Sequence, residues 1–265
     1  MLALVTQGAA GTSRWRVITL AMTAKLKLAV ADGVATVSLN RPERHNAVDD
    51  ELHDALAEVW AEVLADPAAR VILLRGEGRS FCSGRDTAQL GQRTAGESDL
   101  AFIRRHQHTR ELQLASPKPV IAALRGHVLG GGLEMALAAD IRIAATDVRM
   151  AFPEIRYGLM SDTGGSPLAT MLAGPSRAKW MLMTGRRVDA ERALAWGLVD
   201  EVAAALAREI AAGPVDALAM IKQTVDGMWH GALHDALRAE LLAQVALFGG
   251  AEYQARRRAR LDGAS

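Results

Sequence analysis

The sequence predicts an α/β fold, with a core of alternating strands and helices followed by a C-terminal region that is almost entirely helical. Two short runs with apolar centres, at residues 71–76 and 116–126, each end at a glycine. Such runs are typical of strands buried on both faces of a sheet. From about residue 164 the pattern becomes helical, and no fixed-period repeat or low-complexity linker interrupts the chain. This order is typical of the α/β class.

The N-terminal part of the core is predicted to be a hairpin followed by a helix. Residues 25–40 alternate apolar and polar positions around an Asp-Gly turn at 32–33, which is a strong hairpin signal. Asp49 or Asp50 can cap the next helix, and Pro67 ends it. The apolar face of this helix consists of Leu52, Ala55, Leu56, Val59, Val63 and Leu64.

The remaining elements follow from the same patterns. The loop 76–96 contains five glycines, which indicates a mobile or ligand-facing segment. We predict helices at about 98–115, 131–139, 164–173, 176–183 and 189–196, and mostly helix up to residue 260. We predict the other strands at 141–145, at 148–152 and near 198–202.

Composition limits the functions that the chain can have. It has 265 residues, half of them apolar and 23% charged, with a formal net charge of +1. This charge gives no reason to expect nucleic acid or a membrane surface as a partner, and no apolar run approaches the roughly 20 residues that span a bilayer. The single cysteine excludes an intrachain disulfide and a cysteine-rich zinc site. We therefore expect a cytoplasmic protein without a metal site.

Residues 1–24 are interpreted as an N-terminal extension. The first 31 residues contain no acidic side chain, which is one property of targeting peptides. Their basic residues follow the apolar start instead of preceding it, and Met22 stands just before the first predicted strand. We interpret residues 1–21 as dispensable.

Residues 126–140, GHVLGGGLEMALAAD, place three consecutive glycines before a glutamate at the start of a predicted helix. Glycine lets backbone approach a ligand closely, and the first N–H groups of a helix have no partner within it. A dinucleotide loop needs a different glycine spacing, and a Walker loop needs Lys-Ser/Thr where Leu133-Glu134 stands. Two explanations remain, an oxyanion hole beside a carboxylate and a tight helix–strand crossing.

A second glycine loop favours the oxyanion hole. Residues 76–86 also follow a predicted buried strand, and they end in Gly84-Arg85-Asp86. Two backbone donors from separate loops are what a site for one developing oxyanion requires.

Five motifs resemble the enoyl-CoA hydratase/isomerase (crotonase) family. They are NRPERHNAVD (40–49), SFCSGRD (80–86), KPVIAALRGHVLGGGLEMALAADIRIAA (118–145), FPEIRYGL (152–159) and MTGRRVDAERALAWGLVDEV (183–202). The resemblance implies a crotonase-like spiral of ββα units over residues 25–203 and a helical C-terminal trimerisation region over 204–265. It also implies a homotrimer or a dimer of trimers, and an acyl-CoA thioester substrate that passes through an enolate-like intermediate. Coenzyme A would be part of the substrate, and no separate cofactor is expected.

The resemblance also assigns roles to individual residues. The backbone N–H groups of Arg85 and Gly131 would form the oxyanion hole. Glu134 and Glu154 match the two catalytic glutamates of the hydratases, at the family's spacing of 20 residues. One would activate water for addition at C3 and the other would exchange the proton at C2, since burial can hold a carboxyl protonated near neutrality. Further substrate contacts are expected from Gly84, Asp86, Gly130 and Gly132.

Two positions depart from the hydratase pattern. Asp162 stands where dienoyl-CoA isomerases carry an acid. It is interpreted as a third catalytic acid-base group, as a polar contact to the acyl group or as an N-cap for the helix near Gly164. Arg85 replaces a small residue, and its side chain is expected to narrow the acyl pocket or to meet a phosphate of CoA.

Three functions remain open at this point. The first is an enoyl-CoA hydratase that adds water to a trans-2-enoyl-CoA. The second is an enoyl-CoA or dienoyl-CoA double-bond isomerase on the same scaffold. The third is a non-catalytic acyl-CoA binder, which the presence of both glutamates argues against.

Overall fold

The computed structural model describes residues 16–18, 24–93, 95–201 and 210–262. The strands are β1 (Arg16–Ile18), β2 (Leu26–Ala31), β3 (Val34–Leu39), β4 (Val71–Gly76), β5 (Val120–Leu124), β6 (His127–Leu129), β7 (Ile141–Ala144), β8 (Arg149–Ala151) and β9 (Val188–Asp189). The α-helices are α1 (Asp50–Ala65), α2 (Asp99–Leu114), α3 (Gly131–Leu137), α4 (Gly165–Ala173), α5 (Pro175–Thr184), α6 (Ala190–Ala195), α7 (Val215–Gly227), α8 (His230–Gly249) and α9 (Ala251–Asp262). The predicted α/β class is confirmed.

The main sheet has the strand order β1-β2-β3-β4-β5-β7. The predicted hairpin is the antiparallel pair β2–β3, whereas β3, β4, β5 and β7 run parallel. Parallel neighbours need a crossover, and α1 and α2 connect β3 to β4 and β4 to β5. The carboxyl ends of β4 and β5 therefore lie at the same edge of the sheet, where both glycine loops begin.

A second, three-stranded sheet in the order β6-β8-β9 brings those two loops together. Cys82, in the loop after β4, donates its N–H to the carbonyl of His127 at 3.0 Å and accepts from the N–H of Leu129 at 3.0 Å. The loop is thereby paired along β6, a three-residue strand that the sequence analysis did not predict because it is too short for an alternating pattern.

The main hydrophobic core joins α1 and the main sheet with helices α3 to α6. The predicted apolar face of α1 is buried except for Leu64, which is partly buried. Trp60 on the same helix is also buried, at 1% exposure. Asp49 is the N-cap of α1, because its side chain accepts from the N–H of Leu52 at 2.9 Å.

Helix α8, in the C-terminal region, packs on α2 and α4. Its apolar residues Leu241 and Phe248 join Phe102, Ile103 and Leu159 in a second hydrophobic cluster. This packing places α8 over the segment between β8 and α4, which carries Glu154 and Asp162.

The structure tests only part of the predictions for the N-terminal extension and for the start of the C-terminal region. Residues 16–18 of the proposed extension form β1, which pairs antiparallel with β2, and residues 1–15 and 19–23 lie outside the described residues. Near 198–202, Glu201 forms a single bridge with Ile143, and residues 202–209 are again outside them. The proposed domain limits stay predictions. Among the described helices, none combines the length and hydropathy that crossing a bilayer requires.

Candidate active site

A deep cleft opens between the two glycine loops and helices α1, α2, α3 and α8. Its empty volume, including the open mouth, is about 1200 Å³. Among the predicted site residues it is lined by Gly84, Arg85, Gly130, Gly131, Glu134, Glu154 and Asp162.

The backbone of the two loops meets at Gly84. Its φ of 89° is in the region that favours glycine, and a Cβ there would lie 2.7 Å from the carbonyl oxygen of Leu129 and 3.4 Å from the nitrogen of Gly131. The N–H of Val48 donates to the Gly84 carbonyl, and the N–H of Asp86 donates to the Val48 carbonyl, both at 2.8 Å. Because these bonds flank Arg85, its own N–H turns away from Val48. The Gly131 N–H opens α3 and has no helical partner.

Of the three consecutive glycines, Gly130 and Gly132 leave no room for a side chain, whereas a Cβ at Gly131 would make only an ordinary contact. A Cβ at Gly130, whose φ is 52°, would lie 2.6 Å from Oε1 of Glu154. A Cβ at Gly131 would meet Oε2 of Glu134 at 3.8 Å, and one at Gly132 would lie 2.6 Å from the Cys82 carbonyl oxygen. Gly132 thus serves the helix–loop packing and is not among the described residues that line the cleft.

Glu134 is held firmly in the wall of the cleft, with 2% exposure. Its Oε1 accepts from the N–H groups of Asp162, Thr163 and Gly165 at 3.1, 2.9 and 3.0 Å. Its Oε2 accepts from the hydroxyl of Thr163 at 2.8 Å. Four donors fix the carboxylate in one orientation with Oε2 towards Gly131.

Glu154 lies against Gly130, near enough to Glu134 for the Glu134 charge to affect its pKa, and differs from Glu134 in its surroundings. Its Oε2 is buried and has no hydrogen-bond partner among the described residues. Burial, followed by the negative charge of Glu134, raises the pKa of Glu154 well above its usual value. A carboxyl in this state can hold a proton near neutrality and release it into the cleft.

Asp162 is the third acid in the cleft wall. Its Oδ2 accepts from Nε2 of Gln244 on α8 at 3.2 Å, and burial together with Glu134 raises its pKa well above the usual value. The N-cap interpretation of Asp162 is wrong, because Gly164 occupies the cap position of α4 and no side chain caps it from there. The cap is instead supplied from elsewhere in the chain.

Glu240 of α8 supplies that cap together with Glu134, and the sequence analysis missed it. Glu240 is 3% exposed and accepts from the N–H groups of Gly164 and Ser166, both at 2.7 Å. The sequence does contain a signal, because Glu240 and Gln244 fall at core-facing helical spacing beside Leu237 and Leu241. A charged residue on such a face needs a buried partner.

The side chains of Arg85 and Asp86 are held by other groups of the protein. Arg85 donates to Oδ1 of Asp50 at 2.7 Å and to Nε2 of His106 at 3.3 Å, and it lines the cleft beside His106. Asp86 accepts from the N–H of Ala88 and from Arg41, each at 3.0 Å. The structure therefore gives Asp86 a capping and ion-pairing role, and it is not among the described residues that line the cleft.

The cleft is lined by apolar side chains and by a polar group that consists of His53, His106 and Arg110. His53 and His106 stack with ring centroids 4.0 Å apart. Burial lowers the pKa of His53 to about 4 and that of His106 well below its usual value, so both are neutral at pH 7. Arg110 is buried, forms no ion pair within the described part of the chain and donates to Gln113. It places a positive charge near Glu134. Burial lowers the pKa of Arg110 to about 10, and the Glu134 carboxylate acts in the opposite direction.

No group of three or more His, Cys, Asp or Glu within the described ranges has a geometry that could hold a metal ion. Cys82 is buried behind Gly132, and burial raises the pKa of its thiol to about 11. This thiol is therefore protonated near neutrality and serves packing.

Comparison with known proteins identifies relatives of this arrangement. Residues 29–259 match the family model described as enoyl-CoA hydratase/isomerase. The chain is 37% identical over 209 residues to a 1,2-epoxyphenylacetyl-CoA isomerase of Escherichia coli K12, covering 74% of this chain and 80% of that protein. It is 34% identical over 229 residues to a probable enoyl-CoA hydratase, EchA17, of Mycobacterium tuberculosis H37Rv, covering 83% and 87%.

Solved structures agree with these sequence relatives. The crystal structure of an enoyl-CoA hydratase from Mycobacterium avium subsp. paratuberculosis K-10 superposes with a TM-score of 0.81 at 28% identity, covering 89% of this chain and 99% of that chain. The crotonase-like fold expected from the motifs is thereby confirmed.

Proposed function

Since the chain belongs to the enoyl-CoA hydratase/isomerase family, we propose that it is a hydratase that adds water across the 2,3 double bond of a trans-2-enoyl-CoA and forms the 3-hydroxyacyl-CoA. One observation carries this proposal. Glu134 and Glu154 line the same cleft beside the Gly130–Gly131 backbone, one fixed by four donors and the other with a raised pKa.

The thioester oxygen binds to the N–H groups of Arg85 and Gly131. As water adds at C3, the electrons of the double bond move towards this oxygen and form an enolate. Backbone donors that are already oriented stabilise this charge without reorganising. Loss of one such donor costs roughly a hundredfold to a thousandfold in turnover in other enzymes. The proposed chemistry needs no cofactor beyond the CoA carried by the substrate.

The two glutamates divide the proton transfers. Glu134 orients the water and takes its proton as the C3–O bond forms. Glu154, protonated because of its raised pKa, delivers a proton to C2 and so discharges the enolate. The proton taken by Glu134 then replaces the one lost by Glu154 through solvent, which closes the cycle.

A double-bond isomerase is the second candidate, and Asp162 is the observation that favours it. Asp162 lines the cleft with a raised pKa, and the Escherichia coli relative is named an isomerase. In this reaction Glu154 or Asp162 would remove a proton from one carbon and return it to another, with no water added. A non-catalytic acyl-CoA binder would need neither acid in the cleft.

Oxygen-18 water separates the two reactions. A panel of enoyl-CoA thioesters that differ in chain length and double-bond position is incubated with the enzyme in labelled water, and the products are analysed by mass spectrometry. We expect one labelled oxygen in a 3-hydroxyacyl product. A shifted double bond without label would establish the isomerase instead, and no turnover on any thioester would contradict both.

Glu134→Gln and Glu154→Gln are each expected to lower kcat by at least about a hundredfold, because each removes one proton transfer. Glu58→Gln, an exposed change on α1, serves as the matched control and should leave kcat unchanged. Steady-state kinetics on the best thioester of the panel provide the measurement. If both active-site variants kept kcat within about twofold of the wild type, the acid-base assignment would be wrong.

We also propose that the chain forms a homotrimer or a dimer of trimers in the cytoplasm. Helix α7 supports the assembly, because it carries exposed apolar side chains, and such a patch is typical of an interface. These side chains are Met220, Ile221 and Val225, followed by Met228 and Trp229 after its end. Sedimentation equilibrium should give three or six chains, and a monomer at micromolar concentration would refute the proposal.

A further inference from the structure

We infer that Glu240 on helix α8 is a positioning residue for the reaction, since it holds the segment of residues 161–166 whose donors orient the Glu134 carboxylate. This inference rests on the proposed function, in which Glu134 acts on the water. Glu240 is not among the described residues that line the cleft, so it acts through this segment and not on the substrate.

Within the described part of the chain, the hydrogen bonds of the Glu240 side chain are with this segment. Its Oε2 accepts from the N–H of Gly164 at 2.7 Å. Its Oε1 accepts from the N–H of Ser166 at 2.7 Å and from the hydroxyl of Ser161 at 3.0 Å. Both carboxylate oxygens are thus used at a side chain that is 3% exposed.

Glu134 and Glu240 share the donors of one short stretch of backbone. Glu134 accepts from the N–H groups of Asp162, Thr163 and Gly165, and Glu240 accepts from those of residues 164 and 166. Five consecutive N–H groups at the start of α4 are therefore divided between two carboxylates, which also satisfy groups that a helix leaves unpaired. If the N–H groups of residues 164 and 166 lose their place against Glu240, the neighbouring N–H groups that bind Glu134 move with them, because they belong to the same backbone.

The same face of α8 also holds Asp162. Gln244 lies one turn after Glu240 and donates to Oδ2 of Asp162 at 3.2 Å, while its own Oε1 accepts from the N–H of Met160 at 3.2 Å. Gln107 of α2 donates to the Asp162 carbonyl at 2.8 Å. Helix α8 consequently fixes the segment at both ends.

The electrostatics identify Glu240 as part of the acid cluster. The titratable groups that interact with Glu240 are Glu134 on α3, Glu154 and Asp162. Glu154 and Asp162 are the two acids of the cleft whose pKa values are raised. Burial, followed by the charge of Glu134, raises the pKa of Glu240 to about 7, whereas its bonds to Ser166 and Gly164 act in the opposite direction. Both oxygens accept N–H groups, which favours the carboxylate over the protonated acid.

Glu240→Gln tests the inference with little change of volume. The amide group must set its NH₂ against the N–H of Gly164 or Ser166, so one of these donors loses its partner. We expect kcat to fall by about tenfold to a hundredfold through misplacement of Glu134, with KM within about threefold, because the substrate is not contacted. Backbone amide exchange at residues 162–166 should become at least about tenfold faster.

Two further variants provide the controls. Asp235→Asn changes an exposed acid on the same helix and should alter neither kcat nor exchange. Glu240→Asp keeps the charge but shortens the side chain, and its kcat should lie between those of the wild type and Glu240→Gln. It also serves for the measurement if Glu240→Gln does not fold.

The inference is overturned if kcat falls without faster exchange at 162–166, or if exchange becomes faster while kcat stays unchanged. It is also overturned if the control on Asp235 reproduces the effect. A wild-type protein that turns over no enoyl-CoA would contradict the proposed function separately. In that case the amide exchange of Glu240→Gln at residues 162–166 alone tests whether Glu240 holds the segment. Unchanged exchange would overturn the inference, and faster exchange would support it.

Discussion

Two features of Gly130 require the absence of a side chain, its backbone conformation and its contact with Glu154. Its backbone has φ 52° and ψ −128°, a region in which side chains are strained, and its N–H donates to the carbonyl of Ala151 at 3.0 Å. This bond ties α3 to β8, the strand that leads into Glu154. The absence of a side chain lets the Glu154 carboxyl lie directly against the loop that carries Gly131.

Gly130→Ala is expected to lower kcat by about a hundredfold, since the new Cβ would displace Oε1 of Glu154 from its place 2.6 Å away. The strained backbone should also reduce the free energy of unfolding by about 1–3 kcal/mol. Kinetics and urea unfolding measure the two effects.

Gly231→Ala is the matched control, because a Cβ there meets nothing within 4 Å and the residue lies in helix α8. It should keep wild-type kcat. A Gly130→Ala enzyme with the same turnover as this control would refute the assigned contact between Gly130 and Glu154.

At the scale of single elements, helix α1 is positioned by its N-cap. Asp49 accepts from the N–H of Leu52 at 2.9 Å and also pairs with Lys25 at 2.7 Å and with Arg41 at 3.3 Å. These contacts join the start of α1 to the residue before β2 and to the loop between β3 and α1. The helix in turn carries Asp50, the partner of the Arg85 side chain.

Asp49→Ala is expected to lower the free energy of unfolding by about 2 kcal/mol, because it removes the cap and takes one carboxylate away from two cations. Asp49→Asn keeps the capping oxygen and should lose only about half as much. Urea unfolding of both variants provides the comparison. Equal losses in the two variants would mean that charge, and not capping, dominates at this position.

Helix α4 differs from α1 because its own sequence supplies no capping side chain. Gly164 occupies the cap position, and the donors at the start of the helix bind Glu134 from α3 and Glu240 from α8. The helix start is therefore formed only when three distant parts of the chain come together. This is why capping patterns predict the start of α1 but not the arrangement at α4.

At the scale of the whole molecule, the buried histidines make stability depend on pH. His53 has a pKa of about 4 in the folded chain, chiefly because of burial, and Arg105 acts in the same direction. Its ordinary pKa, that of the unfolded chain, is 6.5. Between these values the unfolded chain binds a proton that the folded chain does not, so stability falls as pH falls. Glu240 acts oppositely, because its raised pKa of about 7 favours the folded state as pH falls from 7 towards 4.5.

The contribution of His53 is isolated by comparing the wild type with His53→Gln at each pH. Between pH 7 and pH 5 the wild type should lose about 2 kcal/mol more of unfolding free energy than the variant, from about 1.36 kcal/mol per pH unit below 6.5. Urea unfolding at both pH values measures this difference. Parallel pH profiles for the two proteins would show that His53 is not buried neutral in the folded chain.

The sequence alone determined the α/β class, the hairpin, the positions of most helices and strands, and the glycine loops with Glu134 and Glu154. These features are encoded by short-range patterns, because hydrophobic periodicity, helix caps and turns each depend on residues that are only a few positions apart in the sequence. Tertiary structure decided which carboxylates hold the start of α4, where the Arg85 side chain binds, and that Asp86 pairs with Arg41. Glu240 lies 76 residues from Gly164 along the chain. A partner at that distance is chosen by packing geometry, which no local pattern encodes.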